Sequence, residues 1–121
     1  MTSYRQKFGR WGEQTAAAYL KARGYSILDR NVRTPHGEID LVVQKGDLLV
    51  FIEVKTRTST EFGFPEEAIN PKKREHLIAT AEHYLQQRED FSGDWRIDVI
   101  AIRGKPGQPD AEIIWFENAL V

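Results

Sequence analysis

The sequence contains no cysteine among its 121 residues, which excludes a disulfide framework, a thiolate metal site and a cysteine nucleophile. Its longest unbroken apolar run, Leu48–Ile52, is far shorter than the roughly 20 residues that a membrane span requires. The N-terminus, Met-Thr-Ser-Tyr-Arg-Gln-Lys, has no apolar stretch of the kind found in secretory signals. These absences favour a protein of the reducing cytoplasm that has no contact with membranes.

An excess of one charge is also absent, because 17 basic residues stand against 18 acidic ones for a net charge of −1. This balance argues against binding nucleic acid by bulk positive charge, and it leaves room for acidic residues gathered in a metal site. With 40% hydrophobic and 29% charged residues, the composition is that of an ordinary soluble protein. The length predicts a single domain over residues 1–121.

Hydrophobic spacing predicts an α/β fold, with helices flanking a mixed central β-sheet in the order α-β-β-β-α-β-β. Apolar residues at helical spacing, followed by a glycine, predict a first helix over Phe8–Arg23. Asn70 as N-cap and Pro71 at the first helical position predict a second helix. Apolar runs predict strands over residues 25–33, 38–43, 48–55, 95–102 and 111–116, and a polar loop over 56–65.

Acidic residues of the second and third strands are predicted to face each other. A two-residue turn at Gly46-Asp47 sets a register that places Asp40 directly opposite Glu53. The same register places Glu38, an accessory site candidate, opposite Lys55. Strict alternation predicts that the apolar residues of the second strand share the opposite face: Ile39, Leu41 and Val43.

A pair of opposed carboxylates needs a positive partner, since like charges roughly 5 Å apart repel by about 3 kcal/mol at an effective dielectric near 20. A divalent cation such as Mg²⁺ or Mn²⁺ would turn the repulsion between Asp40 and Glu53 into coordination. Lys55, on the same face, could stabilise charge developing on a phosphate or orient a water. The alternative is a surface ion pair of Lys55 with Glu53 or Glu38 on a solvated face.

The first helix supplies another acidic candidate, Glu13, at the border of its apolar face. Gly9 and Gly12, one turn apart, would let this helix approach the sheet closely, so that the Glu13 carboxylate could reach the edge of the site. The alternative is an ordinary solvated glutamate.

Several motifs in sequence order carry a resemblance to known proteins. Asp40, followed after twelve residues by Glu53-Val54-Lys55, looks like the PD-(D/E)xK pattern of restriction-endonuclease-like nucleases, with Ile39 in place of the proline. More narrowly, the chain resembles the bacterial YraN family of small proteins assigned to that superfamily. The motifs behind this resemblance are Gly12-Glu13, Leu28-Asp29-Arg30-Asn31, Gly37-Glu38-Ile39-Asp40-Leu41, Phe51-Ile52-Glu53-Val54-Lys55 and Asp98-Val99-Ile100.

The resemblance implies a restriction-endonuclease-like core and metal-dependent cleavage of phosphodiester bonds. Asp40, Glu53 and the Val54 carbonyl would hold Mg²⁺ or Mn²⁺. Lys55 would activate the water or stabilise charge, and Glu13 would be the helix-borne acid of Holliday-junction-resolvase-like members.

Basic residues suggest a surface for nucleic acid. The run Lys72-Lys73-Arg74 occupies the first turn of the second helix, where the helix dipole disfavours cations and favours phosphate. Further candidates for contacts with the phosphate backbone are Arg5, Lys7, Arg10, Arg33 and Arg57. The alternative for the run is a solvated stretch of charge, and His36, His76 and His83 are interpreted as surface histidines.

These observations together predict a cytoplasmic nuclease that acts on structured or branched DNA, which is favoured over RNA. The alternative is a nucleic-acid-binding module that keeps the fold without turnover. A branched substrate presents two strands, which favours a homodimer, and Phe62, Phe64 and the Trp115–Val121 segment are candidate interface residues. A monomer in which these residues cap the core is the other possibility.

Overall fold

The computed structural model of the chain describes residues 3–57, 70–108 and 110–119. Over these residues the protein has the predicted α/β fold and element order, with two helices and a five-stranded mixed sheet. The elements are α1 (Tyr4–Ala22), β1 (Ser26–Thr34), β2 (Gly37–Lys45), β3 (Leu48–Arg57), α2 (Pro71–Gln86), β4 (Asp94–Arg103) and β5 (Glu112–Phe116). Most of the predicted loop over 56–65 lies outside the described residues.

Helix α1 begins four residues before the predicted start because a capping box fixes its first turn. The Ser3 side chain accepts a hydrogen bond from the Gln6 backbone N–H, and the Gln6 side chain accepts one from the Ser3 N–H. Helix α2 begins where the sequence predicts, since the Asn70 side chain accepts a hydrogen bond from the Lys73 N–H. Both helix starts are therefore specified by local side-chain chemistry.

The strands lie in sequence order across the sheet, β1-β2-β3-β4-β5. Neighbouring strands are antiparallel except β3 and β4, which are parallel and are connected through α2. Helix α2 lies on the opposite face of the sheet from α1, because the two helices contribute to different core clusters. The cluster with α1 contains Ala16, Ala17, Leu20, Leu41, Val43, Val50, Ile52, Ile100 and Ile102, and the cluster with α2 contains Ile39, Val42, Leu49, Phe51, Leu77, Ala81, Tyr84 and Ile97.

A fully buried carboxylate attaches β5 to the rest of the sheet. Asp98 on β4 accepts hydrogen bonds from Trp115 Nε1 at 2.8 Å, from the Asn118 backbone N–H at 2.7 Å and from Arg96. Trp115 also makes edge-to-face contacts with Tyr19 and Tyr25. Trp115 is thus tied into the core on the α1 side. Phe62 and Phe64, the other candidate interface residues, lie outside the described residues.

Candidate functional site

The site forms where β2 and β3 part. The predicted hairpin register is confirmed from Lys45↔Leu48 to Leu41↔Ile52, where the backbone pairing ends. One residue further on, the Asp40 side chain replaces the missing strand partner, because its Oδ2 accepts a hydrogen bond of 2.7 Å from the Val54 N–H. Asp40 and Glu53 are therefore neighbours at a fork between strands and not a backbone pair of the ladder.

The fork coincides with a break in the alternation of β2. Leu41 and Val43 pack on the α1 side of the sheet, whereas Ile39 packs on the α2 side, so the prediction that all three share one face is wrong. Opposite this break, β1 pairs through Arg30↔Leu41 and Val32↔Ile39, and the residue between, Asn31, has a φ of 52°. This left-handed conformation is disfavoured for most side chains and tolerated by asparagine.

A cleft of about 430 Å³ opens at the fork. One wall carries the acidic residues Glu38, Asp40 and Glu53, and the other carries Lys72 and Lys73 from the first turn of α2. The remaining lining residues are Gly37, Asn70, His76 and Leu77. The fold thus brings the predicted acidic site and two residues of the predicted basic run into one concavity.

The Asp40 carboxyl is strongly perturbed. Burial raises its pKa from 3.8 to about 7, and the charges of Glu53 and, to a smaller extent, Glu13 add to the effect. The hydrogen bond from the Val54 N–H and the charge of Lys73 act in the opposite direction without cancelling it. Burial beside a second carboxylate therefore disfavours the ionised form of Asp40.

Glu13 reaches this group because α1 lies against β3 at Gly12. A Cβ on Gly12 would lie 2.1 Å from Thr56 Cγ2, so only glycine permits this approach, whereas Gly9 has nothing within 4 Å of such a Cβ and plays no part in it. Burial raises the pKa of Glu13, and the charges of Glu38 and Glu53 contribute to the rise. A hydrogen bond with the Asn31 side chain and the charge of Arg30 lower it in part. Glu13 is thus an electrostatic member of the site, as predicted from its position on the helix.

Two lysines stand beside the carboxylates. Lys73 Nζ lies 2.7 Å from Glu53 Oε1, and the Glu53 side chain is only 13% exposed. Burial lowers the pKa of Lys55, as do the charges of Lys73 and Arg57, while Glu53 and Asp40 raise it in part. Lys73 is therefore an internal counter-ion of the site in addition to being part of the predicted basic run.

Other predicted residues lie elsewhere than the sequence predicts. Glu38 lines the cleft but pairs across the β1–β2 ladder with Arg33, with Nε and Oε1 3.3 Å apart, so the predicted position of Glu38 opposite Lys55 is wrong. The reason is that backbone pairing of β2 with β3 has ended before Glu38 is reached. Arg57 is exposed and donates a hydrogen bond to the Thr56 carbonyl oxygen. Arg10 and Arg74 are exposed on the first half of α1 and the first turn of α2, and neither lines the cleft.

Three polar residues that shape the site are not among the residues that the sequence predicts for it. Asn31 holds Glu13 from a left-handed backbone position, and asparagine's tolerance of that conformation was the available signal. Asn70 was recognised only as a helix cap, yet it also lines the cleft. His76 was interpreted as a surface histidine, and it lies exposed on the α2 wall of the same cleft.

The donor set suits a hard divalent cation. Within residues 3–57, 70–108 and 110–119, no three histidine, aspartate or glutamate side chains converge closely enough to enclose a metal ion. Magnesium needs no such cage, because it commonly takes one or two carboxylates and keeps several of its waters. The neighbouring carboxylates of Asp40 and Glu53 at the cleft are donors of that kind.

Comparison with known proteins decides the family. A profile described as "Uncharacterised protein family UPF0102" matches residues 12–102. The chain belongs to the UPF0102 family. It is 43% identical over 120 residues to a UPF0102 protein of Dehalococcoides mccartyi, covering 99% of this chain and 98% of the relative. It is 47% identical over 103 residues to a UPF0102 protein of Syntrophomonas wolfei, covering 85% and 90%.

The UPF0102 family is the one that the YraN-like motifs indicated. Among solved structures, SfsA of Pyrococcus furiosus in complex with Ca²⁺ matches with a TM-score of 0.42 and 12% identity, covering 90% of this chain and 63% of that one. No helix in the described part of this UPF0102 protein is long and apolar enough to cross a membrane.

Proposed function

We propose that this UPF0102 protein is a metal-dependent nuclease of restriction-endonuclease-like fold that hydrolyses phosphodiester bonds in structured or branched DNA. The observation that carries the proposal is the placement of Asp40 and Glu53 together at the fork, in a cleft whose other wall is cationic. A carboxylate kept only for a stabilising ion pair would have a lowered pKa. The pKa of Asp40 is instead raised. Strongly shifted pKa values of this kind are typical of catalytic and ligand-binding sites.

Each site residue has a role that its surroundings support. Asp40, Glu53 and the Val54 carbonyl would hold Mg²⁺ or Mn²⁺, which when bound stabilises charge on the phosphate and supplies a nucleophilic hydroxide. Lys55, because its pKa is lowered, releases its proton more readily than a free lysine, which suits it to accept a proton from the attacking water. Glu13, because its pKa is raised, keeps its proton to higher pH and suits donation to the leaving oxygen.

The α2 wall supplies the contacts for the substrate backbone. Lys72 is exposed on the first turn of α2 and lines the cleft, so its ammonium group can meet a phosphate that enters the site. Arg57 stands just beyond Lys55 at the end of β3. These cations contact phosphates and carry no information about sequence, which fits a nuclease that recognises DNA shape.

A non-catalytic nucleic-acid-binding module is the second candidate, and one observation favours it. Lys73 already provides Glu53 with a positive partner at 2.7 Å. A site neutralised by its own lysine could bind a phosphate backbone through α2 without recruiting a metal ion.

The proposed activity belongs in the cytoplasm, where the DNA is, and a branched substrate with two strands to cut suits a homodimer with two sites. Light scattering at micromolar concentration, with and without a four-way DNA junction, measures the assembly. A monomer mass in both conditions would leave nicking of one strand as the activity.

Cleavage of labelled DNA tests the function. The wild type is incubated with four-way, flapped and linear DNAs in Mg²⁺ or Mn²⁺, beside Glu53→Ala and Lys55→Met. Lys105→Met is the matched control, because Lys105 is an exposed lysine in the turn after β4. We expect structure-dependent cleavage by the wild type and the control, and loss of about 100-fold or more in the two site variants.

The outcomes separate the two candidates. DNA binding without cleavage by the wild type in either metal would favour the non-catalytic module. Cleavage that survives in both site variants would place the activity elsewhere or in a contaminant, and would reject the proposal for this site.

A further inference from the structure

A stripe of aromatic and basic residues follows the first half of α1, away from the cleft. The rings of Tyr4, Phe8 and Trp11 stack in succession, with centroids 6.1 Å apart for the first pair and 5.7 Å apart for the second. At 100° per residue these three positions share one side of the helix, and Glu13 projects from another. The stripe is therefore a separate surface from the carboxylate site.

The exposure of the three rings increases from Trp11, which packs against the core, to Tyr4, which faces solvent. Trp11 packs against the core cluster on the α1 side, and Trp11 Cη2 would lie 3.3 Å from a Cβ on Gly104. Phe8 is half-buried, and Tyr4 is 64% exposed. Tyr4 has the largest exposure among the big hydrophobic residues of the described chain, so the Tyr4 end of the stripe presents an aromatic face to solvent.

Cations surround these rings. Lys7 lies on the same side of α1 as the rings, and Arg5 and Arg10 flank it to either side. The side chains of these three residues form no ion pair or hydrogen bond with any described residue, and no acidic residue occurs between positions 3 and 12. Positive charge is thus left available beside stacked rings.

We infer that this stripe, Tyr4, Phe8 and Trp11 with Arg5, Lys7 and Arg10, binds a single-stranded segment of nucleic acid. Aromatic platforms beside unpaired cations are how proteins hold single strands, because every base has a face that stacks and every nucleotide has a phosphate. The stack leaves the outer face of Tyr4 open to a base, and the cations beside it can meet the phosphates of the adjoining nucleotides.

A second copy of the chain is a poorer occupant. In a two-fold symmetric contact each patch meets its own copy, so the three cations of one stripe would face the three of the other, and the stripe itself contains no acidic residue. A polyanion has the complementary charge, and the exposed unpaired strand at a junction or flap has the bases as well.

The inference rests on the proposed function only in the choice of DNA as the ligand. Its test uses no divalent cation and no cleavage. Fluorescence anisotropy in EDTA compares labelled (dT)₁₂, an abasic strand of the same length and a 12-base-pair duplex. The proteins are the wild type, the double variant Tyr4→Leu/Phe8→Leu, Lys7→Ala and the control Trp95→Leu. Trp95 is a suitable control because it is an exposed aromatic residue (38%) outside the stripe, and its neighbour in the chain, Asp94, is acidic.

We expect the wild type and the control to bind (dT)₁₂ about tenfold or more tightly than the abasic strand, and the double variant to lose that preference. Lys7→Ala should reduce the magnitude of the slope of log affinity against log salt by about 0.7, the value of one phosphate contact with a single strand. Circular dichroism verifies that the variants are folded. Binding of (dT)₁₂ through the stripe by a protein that never cleaves would support this inference while the nuclease proposal fails.

Three results would overturn the inference. The first is equal affinity for (dT)₁₂ and the abasic strand, and the second is unchanged (dT)₁₂ affinity in the double variant. The third is a dimer mass in the wild type that reverts to monomer in the double variant, which would show that the stripe is an interface between two copies.

Discussion

Replacing Asp40 by asparagine should make the protein more stable at alkaline pH, although the residue is central to the site. The pKa of Asp40 is raised from 3.8 to about 7 by burial and by Glu53. Between these values the folded protein holds a proton that the unfolded chain has released. The stability that this proton provides is complete below pH 4 and is lost as the pH rises through 7.

The magnitude follows from the size of the pKa change. A tenfold change in proton affinity corresponds to about 1.36 kcal/mol, so the rise from 3.8 to about 7 corresponds to roughly 4 kcal/mol. Solvent screens part of this cost because Asp40 is only partly buried, and we expect about 2–3 kcal/mol to be measurable. Asparagine cannot ionise, and its Oδ1 can still accept the hydrogen bond from the Val54 N–H.

Urea unfolding at pH 4.5 and pH 8 provides the measurement. The free energy of unfolding of Asp40→Asn minus that of the wild type should increase by about 2–3 kcal/mol from the lower to the higher pH. Asp90→Asn is the matched control, because Asp90 is an exposed carboxylate in the turn after α2, and its difference from the wild type should stay constant. At pH 8, Mn²⁺ at ten times its Kd should stabilise the wild type by about 1.4 kcal/mol and leave Asp40→Asn unchanged.

Two outcomes would refute this reasoning. A difference between Asp40→Asn and the wild type that is the same at both pH values would mean that Asp40 ionises normally in the folded protein. A variant that is less stable than the wild type at pH 8 would mean that the carboxylate is already neutralised there, as in an ordinary ion pair.

The remaining predictions concern α1 and α2. Gly12→Ala should destabilise the protein by about 1–3 kcal/mol in urea unfolding, because the added methyl group would overlap Thr56. Gly9→Ala should be neutral or stabilising by up to about 1 kcal/mol, since that position is open and alanine favours helix. Equal effects of the two substitutions would contradict the close approach of α1 to β3. Lys73→Met should raise the affinity for Mn²⁺ severalfold in titration calorimetry, because it removes the ammonium group that competes for Glu53. Unchanged or weaker Mn²⁺ binding in Lys73→Met would show that Lys73 positions Glu53 and does not compete with a cation.

Features set by local chemistry were predictable from the sequence. The cap at Asn70 followed by Pro71 set the start of α2, and the turn at Gly46-Asp47 set the register of β2 and β3 as far as Leu41↔Ile52. These depend on interactions among residues close together in the chain. The proximity of Asp40 to Glu53 followed from that register.

The departures arise where long-range packing overrides a regular pattern. Alternation could not reveal that Ile39 changes sides, since the change depends on the left-handed backbone of Asn31 across the ladder and on the bond from Asp40 to Val54. The contact of Lys73 with Glu53 depends on where α2 docks, which no local pattern encodes. For the same reason Gly9 and Gly12 look equivalent in sequence, and only Gly12 lies against the sheet.

The parallel pairing of β3 with β4 has a consequence for the order of folding. The antiparallel pairs join strands that follow each other in the chain, whereas β3 meets β4 only after the segment containing α2 has been crossed, as in the pairing of Leu48 with Asp94. Closing that large loop costs more entropy than closing a hairpin, so we expect β2 and β3 to pair first. Asp40 and Glu53 would then meet in the nascent hairpin before α2 delivers Lys73. Pulse-labelled hydrogen exchange should find the Val54 amide, held by Asp40, protected earlier than the amides of β4, and simultaneous protection would argue for a concerted assembly of the sheet and the cleft.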